Sequence, residues 1–120
     1  MEGGGQGREQ LAWIQYRSAS GREPVARFIG GLDRRDAIAI RAEMEKVATV
    51  GRTAARHLRG DLYEVRASGR DARFRVVFAS AGAGRLVALA AFKKTSRRTP
   101  RQVMGLAERR LREFRQRGGG

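Results

Sequence analysis

The chain has 120 residues, no cysteine and a single histidine, His57. Without thiols there is neither a disulfide framework nor a thiolate metal site, and one imidazole cannot build a histidine-ligated zinc centre alone. The expectation is therefore no metal and no cofactor, with any metal borrowed through carboxylates. Aromatic residues make up only 7% of the chain, so a core must be filled mainly by aliphatic side chains and alanine. No apolar run approaches the roughly 18–20 residues that span a bilayer. The start Met1-Glu-Gly-Gly-Gly-Gln-Gly7 also lacks the apolar centre of a signal peptide. Both features point to a cytoplasmic protein that is not bound to a membrane.

Acidic residues are scarce as well. Twelve Asp and Glu face 26 Lys and Arg, leaving a formal charge of +14. A domain this basic repels itself unless a polyanion matches it, so nucleic acid is the default partner. Only Lys46, Lys93 and Lys94 are lysines, and the planar arginine fork suits bidentate phosphate contact better than an ammonium does. With 41% apolar residues the chain can still bury a core, and its length fits one domain. That domain is placed at residues 11–117, with the glycine-rich ends 1–10 and 118–120 as flexible tails.

Periodicity then sets the order of elements. Leu11-Ala-Trp-Ile-Gln-Tyr-Arg17 reads as a strand. From Pro24, the spacing of Val25, Phe28, Ile29 and Leu32 predicts a short helix over 23–32. Asp33 caps a second helix, lined by Ala37, Ile40, Met44 and Val47 and stopped by Gly51, so that the two form a helical hairpin. After a basic connector, Arg56-His-Leu-Arg-Gly60, alternation over Tyr63–Arg66 and Arg73–Phe78 predicts two paired strands. A third, Arg85–Phe92, is apolar on both sides and hence central. Thr99-Pro-Arg-Gln102 carries the spacing of a capping box that would open a last helix, with Val103, Ala107, Leu111 and Phe114 on its apolar face. The expected fold is α+β: an antiparallel sheet of about four strands, the helices against one face and the other face free.

Two basic clusters stand out. If the hairpin between the first two paired strands closes so that Ala67 meets Ala72, Arg66 faces Arg73 and Glu64 faces Arg75. Two like charges opposite one another cost stability, and a phosphate between them would relieve it. The second cluster is Lys93-Lys94 with Arg97, Arg98 and Arg101. From Lys93 to Arg117 there are ten basic and two acidic residues, a one-sidedness that favours polyanion binding over an ordinary solvated face. Arg73, Arg97, Arg98 and Arg101 are the candidate RNA-binding residues. His57, alone in a basic connector, is more often structural than catalytic, and Trp13, Tyr16 and Tyr63 read as packing residues.

The fragments Ser20-Gly-Arg-Glu-Pro24, Leu58-Arg-Gly-Asp-Leu-Tyr-Glu-Val-Arg66, Phe74-Arg-Val-Val-Phe78 and Phe92-Lys-Lys-Thr95 with Thr99-Pro100, in this order and basic setting, resemble the RelE/ParE toxin superfamily. The resemblance is to its phage-derived HigB-like branch and runs from about Ile14 to Arg115. It implies a RelE-like fold and a type II toxin that enters the ribosomal A site, cuts mRNA and thereby inhibits translation. It also implies a helix-turn-helix antitoxin of HigA type as partner. Arg66, Arg75, Lys93 and Lys94 match the motif positions and are the implied catalytic residues of a ribosome-dependent, metal-independent endoribonuclease. Such cleavage needs a base for the ribose 2′-hydroxyl, cations for the crowded phosphorane and an acid for the leaving oxygen. Lysine can release a proton where arginine cannot, which gives Lys93 or Lys94 the proton transfers and the arginines the phosphate. The chain departs from better-known RelE-type enzymes in having no tyrosine or histidine after the last strand. Two other readings stand beside this one: a ParE-like gyrase poison, and a non-catalytic basic module that binds RNA or ribosomes.

Overall fold

The computed structural model describes residues 10–119; the expected tail over residues 1–9 and residue 120 lies outside them. The order is β1 (Ala12–Gln15), α1 (Pro24–Gly30), α2 (Arg34–Val50), a 3-10 turn (Arg52–Ala54), β2 (Arg56–Arg59), β3 (Leu62–Ser68), β4 (Arg73–Ser80), β5 (Arg85–Lys93) and α3 (Arg101–Gln116). The strands form one five-stranded sheet in the order β1-β5-β4-β3-β2.

The mixed α+β class holds, and the sheet differs from expectation in two ways. It has five strands rather than four, because the connector Arg56–Arg59 pairs antiparallel with β3 as an edge strand. A four-residue segment with two arginines carries too little apolar alternation to announce itself, and charged side chains are what an edge strand tolerates. The sheet is also mixed rather than antiparallel: β1 runs parallel to β5, with Ala12 opposite Arg85 and Gln15 opposite Ala88. The intervening helices supply the crossover that parallel pairing requires.

Helices cover both faces, not one. Val25 and Ile29 of α1 and Ala37, Ile40, Met44 and Val47 of α2 pack on Val65, Ala67, Phe74, Val76 and Phe78. Ala107 and Leu111 of α3 pack on the alternate residues Leu62, Val77, Ala79, Val87 and Leu89. A strand apolar on both sides, such as β5, can bury both only between two layers. The second face is therefore open only where α3 stops short of it.

Local signals explain most boundaries. Proline holds the first turn of α1, and the Asp33 carboxylate caps α2 by accepting from the Asp36 amide at 2.9 Å. Gly51 ends α2 at φ 103°, a conformation that favours glycine. Asp36 has a second role: its Oδ1 accepts from the Arg70 amide at 2.8 Å, tying the start of α2 to the β3–β4 turn. Gly69, in that turn, leaves no room for a Cβ, which would overlap the Asp36 carboxylate and the Phe74 ring.

Candidate nucleic-acid interface

The β3–β4 register places Arg66 opposite Arg75, Glu64 opposite Val77 and Ser68 opposite Arg73. The pairing expected from sequence, Arg66 with Arg73 and Glu64 with Arg75, is off by two residues, because the turn spans Gly69–Ala72 and is closed by the Gly69 amide on the Ala72 carbonyl. A two-residue shift preserves the face on which each side chain lies. Glu64, Arg66, Arg73 and Arg75 therefore still share one side of the sheet, the side that carries α3.

The centre of this site is Glu64, only 1% exposed. Its Oε1 accepts from Arg75 Nη1 at 2.5 Å and from Arg66 Nε at 3.3 Å, and its Oε2 accepts from Thr99 Oγ1 at 2.6 Å. The Glu64–Arg75 contact is thus a diagonal, buried ion pair rather than a directly opposed surface one. Arg75 is itself buried, while the side chain of Arg66 remains 45% exposed. One carboxylate neutralises one guanidinium and orients a second whose charge is still open to solvent.

Around this pair lies a groove of about 510 Å³, lined by residues of β2 and β3, the segment between β5 and α3, and the first turn of α3. Arg56, Arg59, Arg66, Arg97, Arg98 and Arg101 reach it, with Glu64 at its base. Arg59 is occupied: its guanidinium forks onto Glu108 of α3 with two contacts of 3.0 Å. That hydrogen-bonded fork holds the Glu108 carboxyl below the usual carboxylate range and pushes Arg59 up. Among the described residues, Arg56, Arg97, Arg98 and Arg101 have no carboxylate within ion-pair distance. Beside the groove, Arg66, Ala67, Ser68, Arg73 and Arg75 enclose a smaller depression of about 150 Å³. Arg66 belongs to both. Two adjoining concavities with a surplus of guanidinium groups suit successive phosphates of a nucleic-acid strand.

Arg66, Arg75, Arg73, Arg97, Arg98 and Arg101 are thus brought together. Lys93 is not: it pairs across β4 with Phe74, whose ring lies in the core under α1 and α2. Directly opposed residues share a face, so Lys93 leaves β5 on the side away from Glu64. Lys94 follows at the alternate position, and its amide extends the ladder by donating to the Arg73 carbonyl at 2.8 Å.

Four contributors to the groove were not singled out from sequence as site residues. Arg56 and Arg59 lay in a connector read as unstructured, and their position follows only once β2 is recognised. Glu64 read as half of an ordinary cross-strand pair, and Thr99 as a helix cap. The cap is not formed: Pro100 holds the N-cap position of α3, no side chain caps it, and the Thr99 hydroxyl is directed to Glu64. His57 lines the groove, with Nε2 2.9 Å from the Gly60 carbonyl and its ring 4.9 Å from that of Tyr63. Tyr16 is a packing residue, buried, with its hydroxyl donating to Glu113 at 2.5 Å. Among the described residues no cluster of three or more His, Cys, Asp or Glu could hold a metal ion, and no helix is long and apolar enough to cross a membrane.

A small α+β domain with an open five-stranded sheet and an arginine-lined groove at one end is the class that the fold and the site define. The family described as phage derived protein Gp49-like (DUF891) matches residues 22–112, about three quarters of the chain, including every groove residue named above. The chain belongs to this Gp49-like family, which is related to toxin-like proteins of the RelE/HigB type. No curated protein matched the chain.

Proposed function

We propose that this protein is the toxin of a type II toxin-antitoxin system, a ribosome-dependent mRNA endonuclease that inhibits translation and is neutralised by a helix-turn-helix antitoxin of HigA type. The observation that carries the reading is the buried Glu64, which holds Arg75 and Arg66 beside a groove in which Arg56, Arg97, Arg98 and Arg101 have no carboxylate partner among the described residues. Positively charged donors fixed in advance by a buried carboxylate are what stabilises a phosphorane as its charge develops. Arg66 and Arg75 grip the scissile phosphate in this scheme, and Arg73, Arg97, Arg98 and Arg101 hold the flanking backbone. Of the two lysines, Lys94 is better placed to move a proton, because Lys93 starts from the opposite face. Membership of a toxin-related family supports the same reading.

A second reading, a non-catalytic RNA- or ribosome-binding module, is favoured by one specific observation. Among the described residues no lysine or tyrosine lines the arginine groove, and His57 and Glu64, which do, already have partners. Primer extension on a defined mRNA, incubated with purified protein with and without translating ribosomes, separates the two. Discrete new ends that depend on ribosomes support the endonuclease. Intact mRNA despite tight binding supports the passive module, or a gyrase poison of ParE type if DNA supercoiling assays respond.

A further inference from the structure

Thr99 breaks a local rule. Thr99-Pro-Arg-Gln102 has the residues of a capping box, in which the threonine oxygen would accept from the Gln102 amide and proline would be the first helical residue. Leaving a helix start without its cap costs about 1 kcal/mol, and α3 has no acidic residue in its first turn to offset this. The hydroxyl instead donates at 2.6 Å to a carboxylate on β3, 35 residues away in sequence and itself 1% exposed. A hydrogen bond to an ionised acceptor in a dry setting is stronger than a neutral one. Departures from local rules that are compensated by a distant contact concentrate at functional sites.

What this contact positions is specific. The segment Lys94–Pro100 has no regular structure, and its one internal side-chain bond runs from Ser96 to the Arg98 carbonyl at 3.0 Å. Arg97 and Arg98 precede Thr99 and Arg101 opens α3, and all three line the groove. The Thr99–Glu64 bond joins this segment to the carboxylate that also holds Arg66 and Arg75. Both halves of the arginine set, one from the sheet and one from the connecting segment, are referenced to the two oxygens of one side chain.

We infer that Thr99 is a positioning residue: its hydroxyl, bound to Glu64, latches the Arg97–Arg101 segment over the groove and so presets the grip on the backbone phosphates of a single RNA strand. The inference rests on the proposed function only in the identity of the ligand. Without the latch, the segment loses its tie to Glu64, and Arg97 and Arg98 leave the groove.

The test compares Thr99→Val and Thr99→Ser, leaving Glu64 intact because its loss threatens the fold. Binding of a single-stranded oligouridylate is followed by fluorescence anisotropy over a range of salt, and backbone amide exchange is followed in the free proteins. Thr99→Val is expected to bind roughly tenfold more weakly, the effect of about 1.4 kcal/mol. Loss of two phosphate contacts would make the log–log salt slope shallower by about 1.4, and Thr99→Ser should restore both. Faster exchange at residues 96–99 in Thr99→Val, with the β3 and β4 amides unchanged, is the matching signature in the free protein. Unchanged affinity and slope in Thr99→Val, or an equal loss in Thr99→Ser, would overturn the latch. If the wild-type protein fails to bind the oligonucleotide, the grip on a free RNA strand falls while the proposed function is still decided by primer extension with ribosomes, and amide exchange alone decides the latch: unchanged exchange at 96–99 overturns it.

Discussion

Glu64 and Arg75 form an ion pair at 2.5 Å in which the carboxylate side chain is 1% exposed and the guanidinium 8%. Withdrawing two charges from water costs several kcal/mol each, so such a pair adds little stability over well-packed apolar residues of similar volume. Breaking it from one side is another matter, because the survivor is a buried, uncompensated charge. The arrangement fixes where Arg75 points, and with it Arg66, more than it strengthens the fold.

The first prediction follows from that asymmetry. Glu64→Gln keeps the shape and removes the charge, so Arg75 is left buried without its counter-ion and the folded state should lose about 3–5 kcal/mol. Urea unfolding monitored through Trp13 would measure it. A double variant in which Glu64 and Arg75 are both replaced by leucine should be less destabilised than either single one. If the losses simply add, the pair does not act as a unit.

A second prediction concerns the β3–β4 turn. Any Cβ at residue 69 would collide with the Asp36 carboxylate that accepts the Arg70 amide and with the Phe74 ring. Gly69→Ala should therefore cost about 1–3 kcal/mol, the usual range for overpacking. An Asp36→Ala background should soften the effect by removing one of the two obstacles, and a thermodynamic cycle on the two sites reads the coupling.

These sites also show how far the sequence could be read. Alternation over Tyr63–Arg66 and Arg73–Phe78 placed the strands and assigned the right residues to each face, since a slip of two residues leaves the faces unchanged. The register itself depends on where the turn closes, and the close approach of Gly69 to α2 is a tertiary fact. Helix α2 was legible because its cap, stripe and stop all agree. The parallel partner of β1 and the edge strand β2 were not, because pairing direction is not encoded in a four-residue pattern. The burial of Glu64 was hidden for a related reason. Polar positions on a half-buried strand read as solvent-facing until the segment that covers them is known. Thr99 satisfied a local rule that a distant carboxylate then overrode.

Tyr16 yields a prediction about alkaline pH. Burial first, and then the hydrogen bond to Glu113, raise its phenol above the ordinary value near 10. A group whose folded pKa is raised stabilises the folded state fully below its unfolded value, and the contribution is lost as pH rises through the folded one. Thermal stability should accordingly decline above pH 10, and Tyr16→Phe, which has no phenol to ionise, should flatten that decline. An identical decline in the variant would place its origin elsewhere.

The prediction that separates enzyme from binder concerns Lys93 and Lys94. Neither lysine lines the arginine groove, so replacing both by alanine should leave ribosome binding within about tenfold, a loss of no more than about 1.4 kcal/mol. If lysine supplies a proton transfer, the same double variant should lose cleavage by about 10²–10⁴-fold, the contribution of general acid–base catalysis. The single variants divide the effect by face: Lys94→Ala should fall nearly as far as the double variant, while Lys93→Ala, starting from the side of Phe74, should stay close to wild type. Arg66→Ala should slow cutting and weaken binding together, since its guanidinium faces both concavities. Single-turnover primer extension on ribosome-bound mRNA, read beside a salt-controlled binding curve, gives both quantities for each variant. Undiminished cutting in the lysine double variant would rule those side chains out as proton carriers and turn attention to His57, which also lines the arginine groove.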